Sequence, residues 1–427
     1  MNNTEREKII DLVKREVVPA IGCTEPIAVA LCVARATEIL GCTPEKTEVL
    51  LSANILKNAM GVGIPGTGMI GLPIAIALGA LIGKSEYMLE VLRDSTPEAV
   101  ERGKKMIEQH CIDIKLKEGI TEKLYIEANC SAGSHCATAI IAGSHTNFVY
   151  TSHDNEVLSD NRTASGEDVS EEDTELTMRK VYDFATTAPI EEIRFILDAA
   201  RLNKAAAEFA FKGDYGHSLG KTLKGNLECS VIGNNIFTHI LSYTSAACDA
   251  RMAGAMIPVM SNSGSGNQGI AATMPVVIFA EENGKSEEEL IRALMLSHLT
   301  TIYIKQSLGR LSALCGCVVA TTGSSCGITY LMGGNYDNIT YAVKNMIANL
   351  TGMICDGAKP SCALKITGSV STCILSALLA IEGRYVTSLE GIIEDDVDRC
   401  IHNLTRIGSQ GMNETDRCVL DIMTHKK

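Results

Sequence analysis

Cysteine is the residue type whose number and placement say most about chemistry in this chain: 16 of 427 residues. Four stand in glycine- and proline-containing segments, Cys315-Gly316-Cys317 and Cys355-Asp356-Gly357-Ala358-Lys359-Pro360-Ser361-Cys362. Thiolates gathered in such loops can hold an iron–sulfur cluster, for which cysteine is the usual ligand. Paired C-x-x-C spacings, the common mark of a structural zinc site, do not occur. Cys326 and Cys373 lie in apolar helical patterns and read as core residues. Cys23 is a different case, because Thr24 suits a helix N-cap and Glu25-Pro26 suits a first turn. A thiol at that end of a helix meets the positive pole of the macrodipole, which brings its pKa from about 8.5 toward 7, the range of a useful proton acceptor.

Polar groups that can meet a small substrate cluster in two further places. Ser134-His135 and Ser144-His145-Thr146-Asn147 fall near predicted strand ends. The run Ser261-Asn262-Ser263-Gly264-Ser265-Gly266-Asn267-Gln268-Gly269 lets backbone N–H groups approach a carboxylate. Gly61–Gly66, Gly66–Gly71 and Gly264–Gly269 each match G-x-G-x-x-G, but Pro65, Pro73 and Pro275 break the strand–turn–helix context that a dinucleotide fold requires. A P-loop fails as well, since Leu78 occupies the position of the upstream glycine before Gly83-Lys84-Ser85.

The elements that must position these residues follow from hydrophobic pattern. Ala59–Gly83, Met252–Ala280, Leu311–Tyr336 and Ile366–Ile381 carry no charge. Seven Gly and two Pro in the first, and a polar run in the second, read as buried, glycine-broken helices and not as lipid-facing spans. Glu5–Val18 has helical spacing with one charged face, and Thr47–Ala53, Lys123–Ala128 and Asn147–Ser152 read as strands. Beyond Met178 the pattern is helical, clearest at Ile190–Phe211 and Glu287–Leu308. The expected class is α+β: a large, mostly α-helical domain with buried glycine-broken helices plus a smaller mixed α/β domain. The expected division is residues 1–44 as N-terminal helices packing with the catalytic domain, 45–153 as the mixed domain, 154–175 as an acidic loop or connection, and 176–427 as the helical, cluster-binding domain. A net charge of −13 argues against nucleic acid as a partner, and no membrane partner is expected. The charged N-terminal stretch lacks the features of a secretory signal, so a cytoplasmic protein with mostly reduced cysteines is expected.

Gly22-Cys23-Thr24-Glu25-Pro26, Leu314-Cys315-Gly316-Cys317, the Cys355–Cys362 segment and the Gly264–Gly269 loop together resemble the L-cysteine desulfidase family, which is related to the iron–sulfur L-serine dehydratases. The resemblance runs over nearly the whole chain. It implies a 4Fe-4S cluster held by Cys315, Cys355 and Cys362, with Cys317 the alternative to Cys315, and Cys23 as the proton acceptor. Thr24, Asn58, Ser144, His145, Asn262 and Asn267 are the expected substrate contacts. Ser144-His145-Thr146 is similar to a Ser-His-Thr element of the serine dehydratases, although Asn147-Phe148 replaces the Gly-Pro that follows it there. The implied reaction is β-elimination from a small amino acid, L-cysteine, in an oxygen-sensitive lyase independent of pyridoxal phosphate. L-serine deamination, an iron–sulfur redox or sensor protein, and a metal-free binding protein are the competing readings; a homo-oligomer is compatible with each.

Overall fold

The computed structural model describes residues 2–120, 122–154, 156–162, 174–225, 230–309 and 311–426. The acidic residues 163–173 of the expected connection lie outside the described residues. The class is α+β, as the hydrophobic pattern implies. A six-stranded sheet runs in the order β3-β2-β4-β5-β6-β7, with β2 (Lys46–Leu51), β3 (Ile112–Leu116), β4 (Tyr125–Ala132), β5 (His135–Ala142), β6 (Phe148–His153) and β7 (Glu156–Asp160). Only the β2–β3 pair is parallel. Thr47, Val49 and Leu51 alternate inward on β2 with Glu48 and Leu50 facing the other way, the period-2 pattern of a half-buried strand. β7 occupies residues that composition assigned to an acidic loop, so the sheet extends past 153.

The helix Thr24–Leu40 lies over β4 and β5, the helix Leu72–Ile82 packs on it, and Pro97–Glu108 packs on Leu72–Ile82. This corrects one expectation. Helix Asn3–Glu16 joins the large helical core through Ile9, Leu12 and Val13, whereas Ile27–Ala34 joins the core of the sheet. Cys23 sits at the change from one core to the other.

In the helical part, Gly316–Leu331 is the central rod, touching Gly266–Glu282, Glu287–Leu308, Tyr336–Leu350 and Cys362–Ile381. It is buried all round, and its hydroxyls bond back along the helix: Thr321 to the Cys317 carbonyl at 2.7 Å, Thr322 to Val318 at 2.8 Å, Thr329 to Ser325 at 2.7 Å. The threonines of this helix thus enter the core with their hydroxyls satisfied. Among the described residues one helix, Cys362–Ile381, is long and apolar enough to cross a membrane; it packs on Ile236–Met252 as well as on the central rod.

Several ties join the two parts, among them the following. β1 (Pro19–Ile21) pairs antiparallel with β8 (Pro258–Met260). The Ser261 hydroxyl donates to the Val18 carbonyl at 2.6 Å. The buried Lys57 ammonium pairs with Asp416 of the C-terminal helix Asn413–His425 and donates to the Cys355 carbonyl at 3.3 Å, while Asn54 bonds the same carboxylate at 2.5 Å. Removing one member of a buried pair leaves the other uncompensated. Lys57→Ala is therefore expected to cost about 3 kcal/mol, measured as a lowered urea midpoint; an unchanged midpoint would show that the pair contributes nothing.

Candidate active site

Cys23, Cys315 and Cys362 arrive at one place by the same device, a helix N-terminus. Cys23 itself is the N-cap of Thr24–Leu40, where Thr24 was the expected cap, and Thr24 becomes the first helical residue. Cys315 is the N-cap of Gly316–Leu331, and Cys362 is the first residue of Cys362–Ile381. A fourth helix, Gly266–Glu282, begins there too, capped by Ser265. All four N-termini border one cavity of about 100 Å³. Their summed positive ends favour an anion there.

The cavity is lined by Cys23, Thr24, Asn58 and Asn267 among the expected residues, and by Cys315, Cys317, Cys355 and Cys362. The two thiol-bearing segments are held side by side by an antiparallel bridge, Leu314 with Ile354, in which Cys315 N donates to Met353 O (3.0 Å) and Cys355 N to Ala313 O (2.7 Å). Gly357 has a φ of +89°, and a Cβ there would stand 2.2 Å from the Lys57 carbonyl, so only glycine allows this turn. Asp356 is clamped by Lys359 and Lys365. Burial raises its pKa, but the two ammonium groups prevail and bring it down to about 2, so the clamp persists above that pH.

The thiols of Cys315, Cys355 and Cys362 are held protonated. Contact with Cys317, whose Sγ is 3.1 Å away, raises Cys315 first, and burial adds to it. Cys355 is raised by its contact with Cys315 and then by burial; Cys362 is raised by burial. Three soft donors from two rigid loops, facing a common cavity at helix N-termini, are a donor set that fits an iron–sulfur cluster, and filling it would release the thiol protons. Cys317 is turned partly aside: its Sγ lies 3.3 Å from Met353 Sδ and accepts from the Ser369 hydroxyl at 3.4 Å.

Cys23 departs from the sequence expectation. Burial, followed by the Glu25 charge, pushes its thiol well above the usual range, and this outweighs the helix dipole that was expected to lower it. Its Sγ donates to Glu25 Oε2 at 2.9 Å. The Thr24 hydroxyl is 3.1 Å from the same oxygen and 3.0 Å from the Gly264 carbonyl, and Asn58 Nδ2 donates to Glu25 Oε1 at 3.1 Å. Burial alone would raise Glu25; the His145 charge, the Cys23 thiol and Arg251 overcome it and leave the carboxyl below its ordinary range. His145 itself is not brought to the cavity lining.

Ser144 and Asn262 are not brought to the cavity lining. Asn262 is fully buried behind the glycine loop, where its Nδ2 meets His298 Nδ1 and the His298 carbonyl, both at 3.1 Å. Cys326 and Cys373 are core residues remote from the lining, with Cys373 Sγ 3.4 Å from the Ser324 hydroxyl.

The model of the serine dehydratase alpha chain family matches residues 86–421. UPF0597 proteins of Bacteroides fragilis, Porphyromonas gingivalis and Photobacterium profundum are 75%, 56% and 46% identical over 426, 433 and 427 aligned residues. The first two alignments cover all of both chains, and the third covers 98% of each. The chain belongs to the UPF0597 family. Its serine dehydratase alpha-chain domain points to an amino-acid β-eliminating, dehydratase-like enzyme.

Sequence reasoning missed Glu25, Arg251 and Gln268, which also line the cavity. For Glu25 a signal existed, since it adjoins Cys23-Thr24, but it was absorbed as a first-turn helix residue. Because the thiolate is the reactive form, iodoacetamide applied to metal-free protein is expected to label exposed Cys42, Cys136 and Cys418 well before Cys23, Cys355 and Cys362. Peptide mass spectrometry over time checks the order. Early labelling of Cys23 would contradict a raised thiol.

Proposed function

We propose that the chain is an iron–sulfur-dependent β-eliminating lyase that converts L-cysteine to hydrogen sulfide, pyruvate and ammonia. The reading is carried by one observation: the Cys23 thiol and the Cys315, Cys355 and Cys362 thiols share one buried, anion-favouring cavity. Cys315, Cys355 and Cys362 would hold a 4Fe-4S cluster. Cys315 is preferred to Cys317 because its thiol faces Cys355 while Cys317 is engaged by Ser369 and Met353. A cluster with three protein thiolates supplies, when bound, an open iron that acts as a Lewis acid toward a soft leaving group.

The rest of the chemistry falls to side chains of the chain. Before substrate binds, the proton rests on Cys23 Sγ; the substrate ammonium then favours the thiolate, and the proton passes along the 2.9 Å hydrogen bond to Glu25 Oε2. Cys23 Sγ takes the α-proton of L-cysteine, and the Cβ–S bond breaks as the Cα=Cβ bond forms. Sulfide leaves with the electron pair. The aminoacrylate tautomerises to an imine, which water hydrolyses to pyruvate and ammonia. Asn58 and Thr24 hold the Glu25 carboxylate in line with Cys23, and the helix N-termini favour the substrate carboxylate.

L-serine deamination at the same site is the second reading, favoured by the serine dehydratase domain; only the leaving atom differs. Anaerobically purified protein is expected to release sulfide from L-cysteine faster than it forms pyruvate from L-serine, and the reverse order would select the second reading. Cys23→Ala is expected to keep the brown colour of the cluster and lose turnover, whereas Cys355→Ala and Cys362→Ala lose both. Glu25→Gln should keep the colour and lower kcat by roughly 10²–10⁴-fold, the range for loss of a general acid–base group. Full turnover in Cys23→Ala would remove it from the base role.

A further inference from the structure

Arg251 ends the helix Ile236–Met252 and is only 3% exposed, yet it lines the cavity. Among the described residues its guanidinium makes no salt bridge. Nη1 donates to Asn267 Oδ1 at 3.0 Å, and Nε has no partner. A buried guanidinium with so little compensation is costly unless an anion meets it. Room for it is made by Gly266, where a Cβ would stand 2.2 Å from Arg251 Nε. The same cavity holds two buried amide oxygens without donors, Asn58 Oδ1 and Gln268 Oε1. Each of these amides is anchored through its nitrogen, Asn58 to Glu25 at 3.1 Å and Gln268 to the Asn262 carbonyl at 3.2 Å.

An unmatched cationic donor and two unmatched neutral acceptors around one small cavity define the ends of a ligand. From the lining we infer that Arg251 is the anchor for the substrate α-carboxylate, and that Asn58 Oδ1 and Gln268 Oε1 receive its α-ammonium. The cavity then selects a free zwitterionic α-amino acid. An ammonium brings three donors and a carboxylate up to four lone-pair sites, so both ends find partners here. The inference rests on the elimination reading for which substrate is turned over, but its recognition half is separable from catalysis.

The test is calorimetric titration of the full-length protein with L-alanine, which has both charged ends and no β leaving group. Ethylamine, lacking the carboxylate, and propionate, lacking the ammonium, are titrated in parallel. Each is expected to bind at least about tenfold more weakly than L-alanine, as befits loss of hydrogen bonds to a charged group. Arg251→Gln, and Gly266→Ala, which crowds Arg251 without removing it, are expected to weaken L-alanine by a similar factor. The assignment is overturned if wild-type protein does not bind L-alanine, if ethylamine binds as tightly, or if both variants bind L-alanine unchanged. Should the variants fail to fold, the ligand series on wild-type protein decides alone. Arg251-dependent L-alanine binding without sulfide release would keep this subsite and discard the elimination reading; sulfide release with Arg251-independent binding would do the opposite.

Discussion

The two backbone hydrogen bonds between residues 313–315 and 353–355 are the constraint on which the site depends. They set Cys315 against Cys355 at the start of the central rod Gly316–Leu331. The short, clamped turn through Asp356 and Gly357 then returns the chain to Cys362 at the start of a second helix. Lys57 ties this turn to the sheet side and, through Asp416, to the C-terminal helix. Thiols nearly fifty residues apart in sequence are thereby presented by rigid elements, which is what a site of defined geometry requires.

The electrostatics follow from that placement. Four helix N-termini around a buried cavity favour negative charge, and the protein supplies little of it: Glu25 is the carboxylate in the lining, and it is already committed to Cys23, Thr24 and Asn58. Positive charge from Arg251 and Lys365 stands in the same wall. The neutral thiols of the ligand loops and the protonated Cys23 complete a cavity that awaits anionic partners. This is the setting in which a substrate carboxylate becomes favourable.

How much of this was legible beforehand depended on whether a signal was local. The cysteine loops, the glycine loop and the helix after Cys23 are contiguous motifs, and it was the family resemblance they carry that implied a shared site. The α+β class followed from where period-2 patterns end and uncharged helical runs begin. β5 was passed over because its segment, HCATAIIA, is a short apolar run that strand and helix share; β7 was hidden by its acidic flanks. Arg251 and Lys57 carry no local mark at all. Each acquires its meaning from a contact across the chain, with the glycine loop or with Asp416. Cys23 shows a different failure: the dipole effect was read correctly, but burial and the adjacent Glu25 outweigh it.

Most direct of all would be Mössbauer spectroscopy of iron-57-enriched protein purified without oxygen, recorded before and after addition of L-cysteine. The expected spectrum contains a four-iron cluster in which one iron, lacking a protein thiolate, shifts when L-cysteine is added while the other three stay put. Absence of an iron–sulfur signal, or four irons indifferent to L-cysteine, would contradict the proposed site.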